Sequence, residues 1–292
     1  MDGIFNVLKP PAMTSHDVIG FLRRVLKTKK IGHGGTLDPD AAGVLPVFAG
    51  KATRLLEFAV EGRKEYIAEF TLGAQTETGD DSGNIVKTMP VPEFTEQQLL
   101  DVLQRFTGKQ MQLPPMYSAI KVNGQKLYQL ARKGVEVERT AREIEVYRLE
   151  LPHYTASSFT VAVECSKGTY IRVLGEDLAV ELGTVGTMSF LLRTRVGAYT
   201  INEAYTLQEI AENPERCVQE PLSAVDGLAH LHLTAKQAAR ITNGVRTTVA
   251  GTADGRYALL GPGGEFLGIG LCGEERIQAE KIFEHYQMPE ES

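Results

Sequence analysis

Residues 66–72, Tyr-Ile-Ala-Glu-Phe-Thr-Leu, alternate in part with the period of two that sends successive side chains to opposite faces of a strand. Residues 160–165, Thr-Val-Ala-Val-Glu-Cys, are as rich in strand formers. Between these two runs the pattern changes to a helical one. Thr95 and Gln98 form a capping box, Leu99, Leu100, Val102, Leu103 and Phe106 follow at helical spacing, and Gly108 ends the segment. Strands and helices are thus interspersed without a regular βαβ period, which predicts a mixed α+β sheet domain and not a Rossmann layout.

The same reading extends toward the N-terminus. Ile4–Leu8 is a short strand stopped by Pro10 and Pro11. Ser15 then reads as the N-cap of a helix in which Val18, Ile19, Leu22, Val25 and Leu26 share one stripe, while Arg23, Arg24, Lys27 and Lys29 lie largely off it. Near residue 230 the composition shifts. A capped helix, Thr234-x-x-Gln237 to Asn243-Gly244, precedes short strands around 257–260 and 266–272 split by the turn Gly261-Pro262-Gly263-Gly264, so residues 230–292 are expected to form a small, mostly β unit behind a 1–229 domain. The stretch 209–221 reads as a surface connection.

Composition narrows the classes of function. At 292 residues the chain can bury a sizeable core, and its 42% apolar and 23% charged residues are those of an ordinary globular protein. No apolar stretch nears the roughly 20 residues of a membrane span, and the first residues lack the basic-then-apolar order of a signal peptide, so a cytoplasmic location is expected. Three widely spaced cysteines argue against a disulfide framework or a zinc site. Net charge is −6, yet residues 21–30 hold five basic residues and no acid, and residues 105–148 hold nine Lys/Arg against four Glu. Such runs suit phosphate contacts or simply a solvated face.

Three segments carry chemistry-bearing residues. In Gly32-His33-Gly34-Gly35-Thr36-Leu37-Asp38-Pro39, Gly34 and Gly35 permit positive φ and the close approach of a ligand, and Pro39 restricts Asp38 to an extended conformation that aims its carboxylate. An ordinary Gly/Asp/Pro turn accounts for the same letters. Lys64-Glu65-Tyr66 places a tyrosine at the head of a strand, facing a core or a base. Cys165–Arg172 ends a strand with a glycine turn and sets Tyr170 and Arg172 on one side if the chain stays extended; taken alone, an exposed Arg172 is the default. The basic, aromatic, turn-rich segment 114–142 suits RNA phosphates and stacked bases, or a mobile surface loop.

Four strings in order, GHGGTLDPDAAGVLPVFAGKATR, KEYIAEFTLG, PPMYSAIKVNGQKLYQLARKG and GTYIRVLGEDL, resemble the bacterial tRNA pseudouridine-55 synthases of the TruB family, over nearly all of residues 1–200. The resemblance implies a pseudouridine synthase fold with a largely antiparallel sheet, a thumb-like RNA-binding insertion at about 114–142, and a PUA-like RNA-binding domain at the C-terminal end. It implies Asp38 as nucleophile, Tyr66 and Arg172 beside it as catalytic partners, and His33, Gly35, Lys64, Tyr170 and Leu191 as substrate-binding residues. The implied substrate is the T stem-loop of tRNA, with no guide RNA, cofactor or metal, and a monomer is expected. Arg172 beside Asp38 is expected to hold the carboxyl ionised by lowering its pKa. An RNA-binding or tRNA-folding protein without turnover is the competing reading; a methyltransferase is disfavoured because no Gly-x-Gly-x-x-Gly unit follows a strand.

Overall fold

A computed structural model describes residues 1–60, 62–122 and 124–287. Its main sheet has strands in the order Val218–Gln219, Gly3–Lys9, Ala42–Ala49, Gly186–Val196, Lys64–Leu72, Ser158–Cys165, Arg142–Tyr154 and Gly108–Gln112. Every neighbouring pair on that path is antiparallel except Ala42–Ala49 with Gly186–Val196, which run parallel at Ala42/Leu192 and Gly43/Arg193. The expected mixed, largely antiparallel α+β architecture is thus observed. The alternation in 64–72 is its local cause: Lys64, Tyr66, Ala68, Phe70 and Leu72 are all buried. Their face packs under the helices Glu96–Arg105 and Ile171–Glu181 through Leu99, Val102, Leu103, Leu174 and Leu178.

A second cluster joins Val18, Ile19 and Leu22 of the helix Ser15–Val25 to Phe5, Val7, Leu45 and Val47. The N-cap of this helix is Thr14, in a capping box with Asp17, and not Ser15 as the sequence suggested. Ser15 is instead buried and turned toward the loop that carries Asp38. The stretch 209–221 is not a plain surface connection either. It holds the end of the helix Leu207–Glu212, the one-turn helix Pro214–Cys217 and a strand on the sheet edge, with Ile210 and Cys217 buried.

A five-stranded sheet takes residues from Ala229 to Ile282 and encloses its own core around Leu233, Ile241, Leu259 and Leu267. Its Ala258 and Ile269 share a further cluster with Ile4, Val44 and Phe48 of the main sheet. The expected C-terminal helix is Ala235–Thr242, capped by Thr234 and Gln237. Asn123 of the expected thumb and 288–292 at the end of the expected C-terminal unit lie outside the described residues.

Candidate active site

Asp38 sits in the loop between the strands Ile31–His33 and Ala42–Ala49, and three buried side chains from elsewhere hold that loop. Ser15 Oγ accepts from the Leu37 N–H at 2.9 Å and donates to the Leu37 carbonyl at 3.1 Å. Lys9 Nζ donates to the carbonyls of Pro10, Pro39 and Ala41 at 2.8, 2.9 and 2.6 Å. Arg193 donates from Nε to the Val44 carbonyl at 2.8 Å, and through its two terminal nitrogens to Gly35 at 3.0 Å and Thr36 at 3.3 Å. Burial pulls the Lys9 ammonium down to about 8, against the pull of Asp40 and Asp38. Backbone conformation makes this tight path possible. Gly35 has φ +115°, and Gly43, at the same φ, lies where any Cβ would strike the Arg193 carbonyl oxygen.

Arg172 meets Asp38 from the other side. Its Nε lies 3.1 Å from Asp38 Oδ2 and its Nη2 3.4 Å from Oδ1, a two-point contact that fixes the carboxylate plane. The same guanidinium donates to the Thr78 carbonyl at 2.6 Å and the Tyr117 carbonyl at 2.9 Å, and approaches Asp80 at 3.6 Å. It is nearly buried, not exposed. Nor does the chain stay extended there: Tyr170 is the N-cap and Ile171 begins a helix, so Tyr170 and Arg172 do not share a strand face. Tyr170 has no capping side chain of its own. Its N–H donates to Gln112 Oε1 at 2.8 Å and its carbonyl accepts from Gln112 Nε2 at 3.1 Å, which anchors the helix start to the sheet edge.

The electrostatic balance at Asp38 differs from the expected one. Burial raises its carboxyl above the ordinary value, Asp80 adds to the rise, and Arg172, Lys9 and Arg193 offset it only in part. Arg172 therefore orients Asp38 and opposes the shift without reversing it.

Tyr66 is buried on the strand floor, with its hydroxyl against Arg193. Burial pushes its phenol up to about 12, so it is neutral near pH 7. Gly35 faces both Arg193 and Lys64, and Lys64 is buried at the head of the same strand. His33 is half-buried, and its Nδ1 has no hydrogen-bond partner; burial and then Arg193 lower its pKa. Leu191 lies beside Asp38 in a cleft that Asp40, Asp80, Met188 and Phe190 also line. Asp38, Arg172, Tyr66, Gly35, Lys64 and Leu191 thus come together from distant segments, while Tyr170 is placed by its backbone bonds to Gln112 and not at the cleft. Arg193, Lys9, Ser15 and Asp80 were not read from the sequence as site residues. No group of metal-ligand side chains occurs among the described residues.

The family model for TruB family pseudouridylate synthase, N-terminal domain, matches residues 23–171, slightly more than half the chain. The chain is 45% identical over 286 residues to the tRNA pseudouridine synthase B of Caldanaerobacter subterraneus subsp. tengcongensis, covering 97% of this chain and 99% of that protein. It is 50% identical over 239 residues to that of Moorella thermoacetica, covering 78% and 77%. Among solved structures it resembles a chain of an H/ACA RNP bound to a substrate RNA containing 2′-deoxyuridine, at TM-score 0.75 and 25% identity over 98% of this chain and 85% of that one. A chain of a Cbf5-Nop10-Gar1 complex matches at TM-score 0.76 and 25% identity over 98% and 87%. The chain belongs to the TruB family of pseudouridylate synthases.

Proposed function

We propose that the enzyme converts uridine 55 in the T loop of tRNA to pseudouridine, with Asp38 as the nucleophile acting on a flipped-out nucleotide. The observation that carries this reading is the two-point Arg172–Asp38 contact at a cleft walled by Leu191, in a family whose relatives are named for tRNA. The reaction breaks the bond from ribose C1′ to N1, turns the freed uracil and closes a bond from C1′ to C5; C5 gives up its proton and N1 takes one up, so the product is an isomer of the substrate. Positive charge developing at C1′ favours a fixed carboxylate, and the departing uracil spreads its negative charge over two carbonyls, so no strong acid is needed. A partly desolvated Asp38 suits this role because its charge is shielded by few waters. The same placement serves attack at C1′, addition to the base, or removal of the C2′ proton.

Tyr66 stacks on the uracil in this scheme. With its phenol at about 12 it must lose its own proton before it accepts one from C5, and the adjacent Arg193 guanidinium favours that ionisation. His33 fills space near the vacated stack. Gly35, Lys64 and Tyr170 complete the substrate surface. The segment 114–142 acts as a thumb over the T loop, and residues 230–292 act as a PUA-like RNA-binding module behind the 1–229 catalytic domain. The enzyme works in the cytoplasm as a monomer, without guide RNA or cofactor.

Release of tritium from a T stem-loop carrying 5-tritiated uridine reports closure at C5 and separates turnover from mere RNA binding. Asp38→Asn is expected to abolish release while leaving RNA affinity nearly intact. Full turnover by that variant removes Asp38 from its role.

A further inference from the structure

We propose that Phe190 is a stacking platform for a nucleobase directly flanking the target uridine, a positioning role that rests on the assigned reaction. Of the 11 phenylalanines and 10 tyrosines, Phe190 alone is left exposed, at 46%; every other ring is buried or half-buried. Leaving one large apolar ring in water has a cost that the sheet has not avoided here. The local backbone shows why it points outward. In the strand Gly186–Val196 the register against Lys64–Leu72 shifts between Met188 and Phe190: Met188 faces Phe70, Phe190 faces Glu69, and Ser189 is the extra residue. Met188 and Leu191 both turn inward as a result, and Phe190 is displaced to the rim of the cleft that holds Asp38.

The chemistry of that rim selects what lies against the ring. Asp38, Asp40, Asp80 and Asp81 line the same cleft; Arg172 pairs with Asp38 and Asp80, and the remaining excess of carboxylates disfavours a phosphate at close range. A nucleotide is therefore favoured to approach this wall with its base turned to it and its phosphates away. Once the target uridine is flipped, its neighbours have lost a stacking partner, and an exposed ring beside the pocket offers a replacement that tolerates any base because every base has a π face. The surface is an aromatic platform for an unstacked loop base, and it does not itself touch the reacting atoms.

The experiment uses the full-length chain as wild type, Phe190→Ala, Phe190→Leu and Phe190→Tyr, on the tritiated T stem-loop and on the same RNA made abasic at the nucleotide 5′ or 3′ of the target. Alanine and leucine are expected to raise KM by roughly tenfold with kcat nearly unchanged, and tyrosine to remain near wild type. One of the two abasic RNAs should weaken wild type by a similar factor and weaken Phe190→Ala no further. Melting temperatures should stay level because the ring is exposed. A leucine variant as good as wild type, an unchanged KM for alanine, or additive losses for both abasic RNAs would overturn the platform. Equilibrium binding of the intact and abasic RNAs to the same variants reads the platform independently of turnover. Absent tritium release by wild type therefore sinks the assigned reaction, while absent coupling in binding sinks the platform.

Discussion

The loop 35–41 and the segment 114–142 meet at a single guanidinium, that of Arg172, but the rest of their support differs in kind. The loop is gripped by Lys9, Ser15 and Arg193, all buried and all delivered by other parts of the chain. Among the described residues, the basic segment has several bonds within itself. Leu127 N–H donates to the Ile120 carbonyl, Tyr128 N–H to the Ser118 carbonyl, and Arg139 to the Pro114 carbonyl. Its Tyr128 ring has the Lys126 ammonium 5.5 Å and the Arg132 guanidinium 5.6 Å from its centre. The difference teaches a division of labour. On the proposed reading, a nucleophile at Asp38 must be placed to a fraction of an ångström, which needs a rigid frame, whereas a segment proposed to clamp RNA needs charge and rings on a surface that can adapt.

The sharpest way to break this comparison is to unfasten the loop. Arg193→Met leaves the carbonyls of Gly35, Thr36 and Val44 without their donor. The Val44 acceptor is buried and its loss costs about 1–3 kcal/mol, while the part-buried Gly35 and Thr36 carbonyls can turn to water and add less. Melting temperature should fall by roughly 5 °C, and turnover should fall with it. Thermal denaturation within a degree of wild type would mean that the loop needs no such frame.

Much of the frame was legible in the sequence, and the rest was hidden for specific reasons. The strand 64–72 and the helices capped by Thr95 and Thr234 follow from periodicity and capping chemistry, which are local. The helix Ile171–Glu181 gives no such signal, because its support comes from Gln112, 58 residues earlier. Arg172 was consequently read on an extended chain. Arg193 and Lys9 look like ordinary charged residues on strands; only the parallel contact of Ala42–Ala49 with Gly186–Val196 brings Arg193 under the loop. The sign of the Asp38 shift was missed because it depends on burial, which no local string encodes.

Ser15→Ala is a milder version of the same cut. It keeps the Thr14 cap but strips the Leu37 N–H of its acceptor, at a cost of about 1–2 kcal/mol. Because Leu37 precedes Asp38, kcat should drop more than RNA affinity does. If KM moved instead and kcat did not, the loop would be a binding element and the contrast with the thumb would fail.

Asp38 itself sharpens the comparison through pH. Its folded carboxyl is harder to ionise than an unfolded one, so the native state binds more protons in a window opening above 3.8, and its contribution to stability falls as pH rises through that window. Asp38→Asn removes this cost. The variant should melt slightly above wild type at pH 7, and the difference should vanish below pH 3.8. A variant that melts lower at pH 7 would show that the Arg172 pairing outweighs burial.

The smallest effect on the fold is expected in the segment 114–142, proposed to act as a thumb. Lys126→Gln with Arg132→Gln removes two cations that flank Tyr128. Stability should not change, and kcat at saturating RNA should hold. KM should rise, and the slope of log affinity against log salt should become shallower by about 1.4, the value for two contacts to single-stranded phosphates. An unchanged slope would mean that these side chains never meet RNA. A lowered kcat would mean that the thumb, through the Tyr117 carbonyl on Arg172, helps to place Asp38, and the two regions would then be one device instead of two.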